Sequence, residues 1–102
     1  MKTFVNTKTS LTGSSKEVNS IVNLNYSDLV LINLNDVGEK GLLPIEMEER
    51  IELIKLFKDK QEGDKIELNQ SQVDLLLDCN QKTRWTSLHE DIDSFNKYVK
   101  TL

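Results

Sequence analysis

The sequence is poor in the residues that most often carry catalysis, metal binding or covalent cross-links. It has one histidine, one cysteine, one proline and four glycines in 102 residues. The single cysteine, Cys79, excludes an internal disulfide and suits a reducing cytoplasm. It follows three leucines, which favours a small buried side chain over a reactive thiol. One histidine and one cysteine are too few for a usual zinc site, and no GxxxxGK[ST] or GxGxxG phosphate motif occurs. The sequence therefore predicts no enzymatic activity and no cofactor.

The remaining candidates for chemistry have a simpler explanation as surface residues. His89 has Ser87 and Asp91 as near neighbours, but residues two apart on a helix point to different sides and form no triad. Asp74 and Asp78 lie four apart, where they could share a proton or a cation. A solvated helix face explains this acidic pair equally directly. We predict no metal site.

Long apolar runs and an excess of positive charge are also missing. No stretch of 18 apolar residues occurs, so no membrane helix is expected, and the first residues lack the apolar core of a secretory signal. Lys and Arg number 13 and Asp and Glu 17, giving a net charge of −4. Because no segment is strongly basic, nucleic acid is not an expected partner. These features predict a location in the cytoplasm of the cell that makes the protein.

The N-terminal quarter favours β-structure. Residues 3–7 and 18–24 are rich in β-branched side chains, and residues 11–15 between them have the composition of a turn. We predict a polar β-hairpin over residues 1–25, with a flexible polar arm as the alternative. Residues 65–68 read as a short strand that can pair with this hairpin.

Residues 26–102 are predicted to form a single small helical domain. In its first helix Ser27 would be the N-cap and Gly38 the C-terminal cap, although a buried strand competes for this short apolar run. The clearest helix covers residues 44–60, with Pro44 in the first position. Its acids crowd the start and its lysines the end, as the helix dipole favours. Its apolar stripe consists of Met47, Ile51, Ile54 and Phe57, widened by Leu53.

Two further helices are indicated by capping patterns. Asn69 with Gln72 opens a helix through about residue 80, with Val73, Leu76 and Leu77 facing inward, and residues 87–90 form a capping box that opens the last helix. The last helix has an apolar stripe of Leu88, Ile92, Phe95, Val99 and Leu102. The predicted fold class is thus α+β and mostly helical, with three to four short helices and a small N-terminal hairpin.

Two groups of residues are candidates for partner binding. The first contains Trp85, Phe95, Tyr98 and Val99, because aromatic residues contribute strongly to interfaces and the last stripe has to be covered by something. Packing in the chain's own core is the alternative for each of them. The second group is the acidic start of the 44–60 helix, namely Glu46, Glu48, Glu49 and Glu52.

The order of these segments over residues 26–100 resembles that of small uncharacterised proteins encoded by tailed phages and prophages. The residues that carry the resemblance are Glu67-Leu68, the leucine pair 75–76 that follows six residues later, and the Ile92 and Phe95 helix. The resemblance implies a phage origin, and it does not extend to the N-terminal arm.

Together these features predict a non-enzymatic phage accessory or virion-associated protein that binds another protein or copies of itself. The alternative is an acidic regulator of a host or phage protein that handles nucleic acid or acts in defence. The expected location is the host cytoplasm, with the virion as the second possibility, and no membrane partner is expected.

Overall fold

The computed structural model describes residues 1–15, 20–85 and 88–102. The strands are β1 (Lys2–Val5), β2 (Lys8–Ser15), β3 (Ser20–Asn25) and β4 (Lys65–Leu68). The helices are α1 (Tyr26–Asn35), α2 (Pro44–Phe57), α3 (Gln70–Lys82) and α4 (Glu90–Lys100). The described residues thus form an α+β fold that is mostly helical, which confirms the predicted class.

The strands form two separate antiparallel pairs. β1 pairs with β4, with Phe4 opposite Ile66, so residues 65–68 form the predicted strand and pair with the N-terminal segment. The predicted pairing of residues 3–7 with residues 18–24 was wrong, because β3 pairs with β2, and the hairpin and β4 do not share one sheet. The hairpin itself is made by β2 and β3. The prediction of a turn at residues 11–15 was wrong, because these residues belong to β2. Residues 18 and 19 of the predicted strand 18–24 lie outside the described residues.

Helix α1 begins earlier and ends earlier than predicted. Its N-cap is Asn25, not Ser27, and the backbone N–H of Asn25 donates to Asp28 at 2.7 Å. The segment after β1 explains the early start, since Thr7 and Asn6 already accept hydrogen bonds from the first two helical N–H groups. The helix ends at Asn35, so Gly38 is not its cap, although this glycine has a left-handed φ of 71° in the following loop.

The ends of the other helices follow local chemistry closely. Pro44 occupies the first position of α2 as predicted, but the helix ends at Phe57 instead of residue 60, and Asp59 then turns the chain with a φ of 59°. In α3 the side chains of Asn69 and Gln72 each accept the other's backbone N–H at 2.9 Å, which confirms the predicted capping. The N-cap of α4 is His89, and Ser87 of the predicted capping box lies outside the described residues.

The core is organised around aromatic rings. All six aromatic side chains of the sequence form one chain of ring contacts, mostly edge-to-face. Phe4 is completely buried and contacts Phe57 at 5.0 Å and Tyr98 at 5.3 Å between ring centroids. Such pairs stabilise a fold by about 0.5–1.5 kcal/mol beyond the area they bury. One ring from β1 thereby joins α2 to α4.

Helix α2 presents a different face to the core from the one predicted. Its buried residues are Arg50, Leu53 and Phe57, whereas Met47 and Ile51 of the predicted stripe are 50% and 46% exposed. The Arg50 guanidinium donates to the carbonyls of Leu34 and Asp36 at 3.0 and 2.9 Å. These carbonyls lie at the C-terminal end of α1, where partial negative charge favours a cation.

The predicted surface pairs of α2 therefore have different outcomes. Arg50 is buried against α1 and forms no ion pair with Glu46 among the described residues, so that predicted pair was wrong. Lys55 and Glu52 form the predicted ion pair at 3.3 Å.

A buried asparagine joins three parts of the fold. The Asn6 side chain accepts from the Ser27 N–H and donates to the Gln61 carbonyl, both at 2.8 Å. Its backbone N–H donates to Asp64 at 2.9 Å, and its carbonyl accepts from Gly63 at 2.8 Å. Asn6 is 1% exposed. It therefore fixes the end of β1 against the start of α1 and against the turn before β4.

We expect Asn6→Ala to lower the free energy of unfolding by about 2–3 kcal/mol, because the buried Ser27 N–H would lose its acceptor. Asn6→Asp keeps that acceptor but buries a carboxylate against the Gln61 carbonyl, so at neutral pH it should destabilise the fold at least as much as Asn6→Ala. The exposed Asn23 provides the control, since Asn23→Ala should change stability by less than about 0.5 kcal/mol. Urea denaturation of the three variants tests this, and equal effects of the two alanine variants would contradict it.

Candidate partner-binding site

Trp85 lies in the short segment after α3. Hydrogen bonds of Thr83, two residues earlier, and the ring of Phe95 hold this segment. Thr83 caps α3 by donating its hydroxyl to the Cys79 carbonyl at 2.9 Å, and it accepts from the Asn33 side chain at 3.1 Å. The half-buried Trp85 ring then packs edge-on against Phe95, with centroids 6.3 Å apart. The indole is thus held on a rigid support and keeps part of its surface in solvent.

A buried amide network holds the helices beneath this segment. The side-chain amide of Asn80 donates to Asn33 at 3.1 Å and to Asn96 at 2.9 Å. These three residues lie on α3, α1 and α4 respectively, so one amide group joins three helices. Because a buried amide without partners is costly, this network specifies how the helices meet.

The exposed edge of Trp85 faces a cleft of about 310 Å³. The cleft is lined by Leu11, Thr12, Leu24, Leu29, Ile32, Arg84, Trp85 and Ile92. We call these eight residues the Trp85 cleft. Its walls are mainly apolar, and Arg84 is the one charged residue among those that the structure describes in its lining. Ile32 is 44% exposed, so apolar surface also reaches solvent there.

Arg84 also borders a second, more polar depression of about 700 Å³. Lys40 and Lys82 line this depression together with Asp36 and Glu39. Cations thus slightly outnumber acids beside the Trp85 cleft, although the whole chain carries a net charge of −4.

The β2–β3 hairpin forms one wall of the Trp85 cleft and is attached to α4 by a carboxylate. Asp91 accepts from the backbone N–H of Ser10 at 2.7 Å and from its hydroxyl at 2.6 Å. These two hydrogen bonds, the hydroxyl's first, lower the pKa of Asp91, and nearby His89 adds to the effect while slight burial opposes it. The His89 Nδ1 atom in turn accepts from the Asp91 N–H at 3.0 Å. The hairpin wall is therefore fixed at the N-terminus of α4.

The first group of predicted contact residues divides into two kinds. Phe95 and Val99 have no exposed surface, because their side chains pack in the core. The prediction that these two residues contact a partner was wrong, because a partner cannot reach them in this fold. Tyr98 is half-buried in the aromatic cluster, and its hydroxyl accepts from the Val5 N–H at 2.8 Å. Of the four, Trp85 is the residue that lines a cleft.

The start of the predicted α4 stripe also needs correction. Leu88 is fully exposed because α4 begins only at Glu90, so Leu88 is not on the helix. Ile92, which is 8% exposed, lines the Trp85 cleft instead.

The second predicted group lies on the surface of α2. Glu46, Glu48, Glu49 and Glu52 are all exposed. Glu46 accepts from the Leu43 N–H at 2.9 Å, so it also stabilises the start of the helix. Glu49 and Glu52 border a depression of about 270 Å³ between α2 and α3.

The residues considered for catalysis or metal binding are all engaged in local structure. Burial raises the pKa of the Cys79 thiol, which disfavours the reactive thiolate. Asp74 accepts from Gln70 at 2.9 Å, and Asp78 pairs with Lys82 at 3.0 Å. Among residues 1–15, 20–85 and 88–102, no cluster of three His, Cys, Asp or Glu side chains is arranged to hold a metal ion.

No protein-family model, no curated protein and no solved structure matches this chain. The resemblance to small tailed-phage proteins therefore stays a prediction. Within the described residues, the helices are too short or too polar to cross a membrane.

Several residues of the Trp85 cleft were not identified from the sequence. Leu11 and Leu24 belong to a hairpin whose register could not be predicted, and Arg84 resembles any surface cation in sequence. Ile32 did carry a signal, because α1 is apolar nearly all round and a short helix cannot bury every side.

The Asp91 hydrogen bonds predict a pH-dependent stability. The folded-state pKa of Asp91 is lowered, so ionised Asp91 stabilises the fold above the pKa of about 3.9 of an unfolded aspartate. The stability contributed by ionised Asp91 is lost as the pH falls through the lowered pKa of Asp91 in the folded state. The stability difference between wild type and Asp91→Asn should therefore be largest near neutral pH and shrink below about pH 4.

Urea denaturation across this pH range measures the difference. Glu90→Gln removes a carboxylate from the same helical turn without touching the hairpin, and it should leave the pH dependence close to that of the wild type. Parallel curves for the wild type and Asp91→Asn would contradict the role of Asp91.

Proposed function

We propose that this protein is a non-enzymatic accessory or virion-associated protein of a tailed phage, which acts by binding another protein or further copies of itself. The phage origin rests on the resemblance over residues 26–100. It implies action in the host cytoplasm or in the virion. The binding role rests on the surfaces that the fold leaves open to solvent.

The Trp85 cleft is the observation that carries this proposal. Thr83 ties the segment before Trp85 to α1 and α3, the Asn80 network joins the helices below it, and the indole packs on Phe95. A preformed apolar cleft with a tryptophan in its wall is the kind of site in which a partner's anchor side chain is desolvated. Such sites lose little entropy on binding because they are already ordered.

The lining defines the chemistry of the occupant. Apolar walls and a volume of about 310 Å³ suit one large apolar side chain. Arg84 at the same cleft favours a carboxylate next to that side chain. We therefore propose a protein segment in which a bulky apolar residue is followed or preceded by an acid.

Substitutions in the cleft should weaken partner binding. Trp85→Ala is expected to cost about 2 kcal/mol or more, which is roughly thirtyfold in Kd. Because Trp85 also packs on Phe95, Ile32→Ser is the gentler variant, and it should weaken binding about tenfold with little change in stability. Ile45→Ser is the control, since Ile45 is 58% exposed and lies outside the cleft.

The test has two stages. Wild type and the three variants are used to capture partners from phage-infected host cells, and the Kd of the purified partner is then measured by calorimetry. Loss of binding in Trp85→Ala and Ile32→Ser but not in Ile45→Ser supports the cleft. Unchanged binding in Ile32→Ser, together with a stability loss alone in Trp85→Ala, would show that Trp85 acts only in the core.

The acidic regulator is the second candidate function, and the exposure of the four α2 glutamates favours it. They would present a row of carboxylates to the basic surface of a protein that handles nucleic acid or acts in defence. Such binding would weaken steeply between about 50 and 500 mM salt, because exposed charges are screened. Binding that is insensitive to salt would count against this candidate.

A further inference from the structure

Helix α2 leaves a continuous apolar stripe in solvent. Leu43, Met47 and Ile51 are 64%, 50% and 46% exposed, and Ile54 is half-buried. Isolated exposed apolar residues are common, but these follow each other at spacings of four, four and three. Met47, Ile51 and Ile54 therefore lie along one side of the helix, and Leu43, its N-cap, lies just before its first turn. We call these four residues the α2 stripe.

The position of Arg50 explains why the stripe is not covered within the chain. The helix turns its Arg50, Leu53 and Phe57 side inward so that the guanidinium reaches the end of α1. The α2 stripe is then rotated to the border of the core, and α1 is the main neighbour of α2 within the described elements. The α2 stripe is therefore exposed because α2 buries the side that carries Arg50.

The spacing of the α2 stripe is that of a helix seam. A repeat of four and three is the pattern with which two helices pack against each other along their length. With 14 residues, α2 is about 21 Å long, and the part of the stripe from Met47 to Ile54 covers about 10 Å of it. The occupant indicated by this pattern is therefore another helix.

Charges beside the stripe identify which helix. Glu48 and Lys55 are seven residues apart, so they lie on the same side of the stripe, one near each end of α2. Both are exposed, and Lys55 already pairs with Glu52 of its own helix at 3.3 Å. When two copies of α2 pack antiparallel about a two-fold axis, Glu48 of each copy lies near Lys55 of the other and shares its ammonium group with Glu52. In a parallel arrangement this side of one helix would face the opposite side of its partner, so Glu48 and Lys55 would not meet.

We infer that the α2 stripe is the interface of a symmetric homodimer in which the two α2 helices pack antiparallel. The surface is self-complementary, as a two-fold interface requires. The apolar stripe supplies the buried centre, and two equivalent Glu48–Lys55 pairs set the antiparallel direction. This inference deepens the proposed self-binding and rests on that part of the proposed function, but it does not involve the Trp85 cleft.

The first test is the solution mass of the full chain over a range of concentrations, measured by light scattering. We expect a species of about twice 11.7 kDa that persists at about 500 mM salt, because apolar burial holds it together. Ile51→Glu places two like charges near the two-fold axis and should give a monomer. Ile45→Ser, an exposed position off the stripe, should leave the dimer unchanged.

A charge exchange tests the antiparallel direction. Glu48→Lys alone and Lys55→Glu alone should each weaken the dimer about three- to tenfold, because each places like charges opposite each other twice. The double exchange in one chain inverts both pairs and should restore dimerisation. Thermal denaturation of each variant separates loss of the dimer from loss of the fold.

The outcomes separate this inference from the proposed cleft. A monomeric wild type at all concentrations, or a dimer that survives Ile51→Glu, overturns the α2 interface. Failure of the double exchange to restore the dimer overturns the antiparallel arrangement. A dimer that Ile32→Ser weakens and Ile51→Glu does not would place self-binding in the Trp85 cleft instead.

Discussion

The arrangement of this small fold depends on the four hydrogen bonds of Asn6. This residue stands where β1 ends, and its donors and acceptors are satisfied by the start of α1 and by the turn before β4. Phe4, two residues earlier, lies in the aromatic cluster, and both the Asn6 contacts and the pairing of β1 with β4 hold the strand in this position. A polar residue therefore helps to determine where the apolar core forms. This agrees with the general finding that buried polar groups contribute more to specificity than to net stability.

Buried polar contacts also hold the helices that carry the exposed surfaces. Asn33, Asn80 and Asn96 fix three helices and so support the Trp85 cleft, while Arg50 closes the end of α1 at the expense of the apolar contacts that α2 would otherwise make. In a chain of 102 residues the core is limited, so part of the apolar surface stays exposed. The Trp85 cleft and the α2 stripe are two places where apolar surface reaches solvent.

Local signals in the sequence predicted the fold class and several helix ends. Asn69 with Gln72, and Pro44, act within one helical turn, so their effect can be read from neighbouring residues. The strand at 65–68 was also identifiable from its pattern. Long-range contacts could not be identified in this way. Asn6 accepts a hydrogen bond from Ser27, 21 residues away, at the start of α1. Arg50 was predicted to be a surface partner of Glu46, but it is buried against the end of α1. The candidate site was the least predictable part of the structure. Trp85 was identified by its residue type, but the hairpin wall of its cleft depends on a strand register that the sequence does not predict.

The contact between Val5 and Tyr98 has a consequence for how the chain acquires its fold during synthesis. These residues are separated by 93 positions, and the Phe4 ring meets Tyr98 in the same region. A growing chain can form α1, α2 and α3 while it is still being translated, but the N-terminal strand lacks its α4 contacts until Tyr98 has left the ribosome. Closing such a long loop carries an entropic cost that slows folding. The docking of β1 against α4 therefore has to wait until α4 has been synthesised, although β1 can pair with β4 before that.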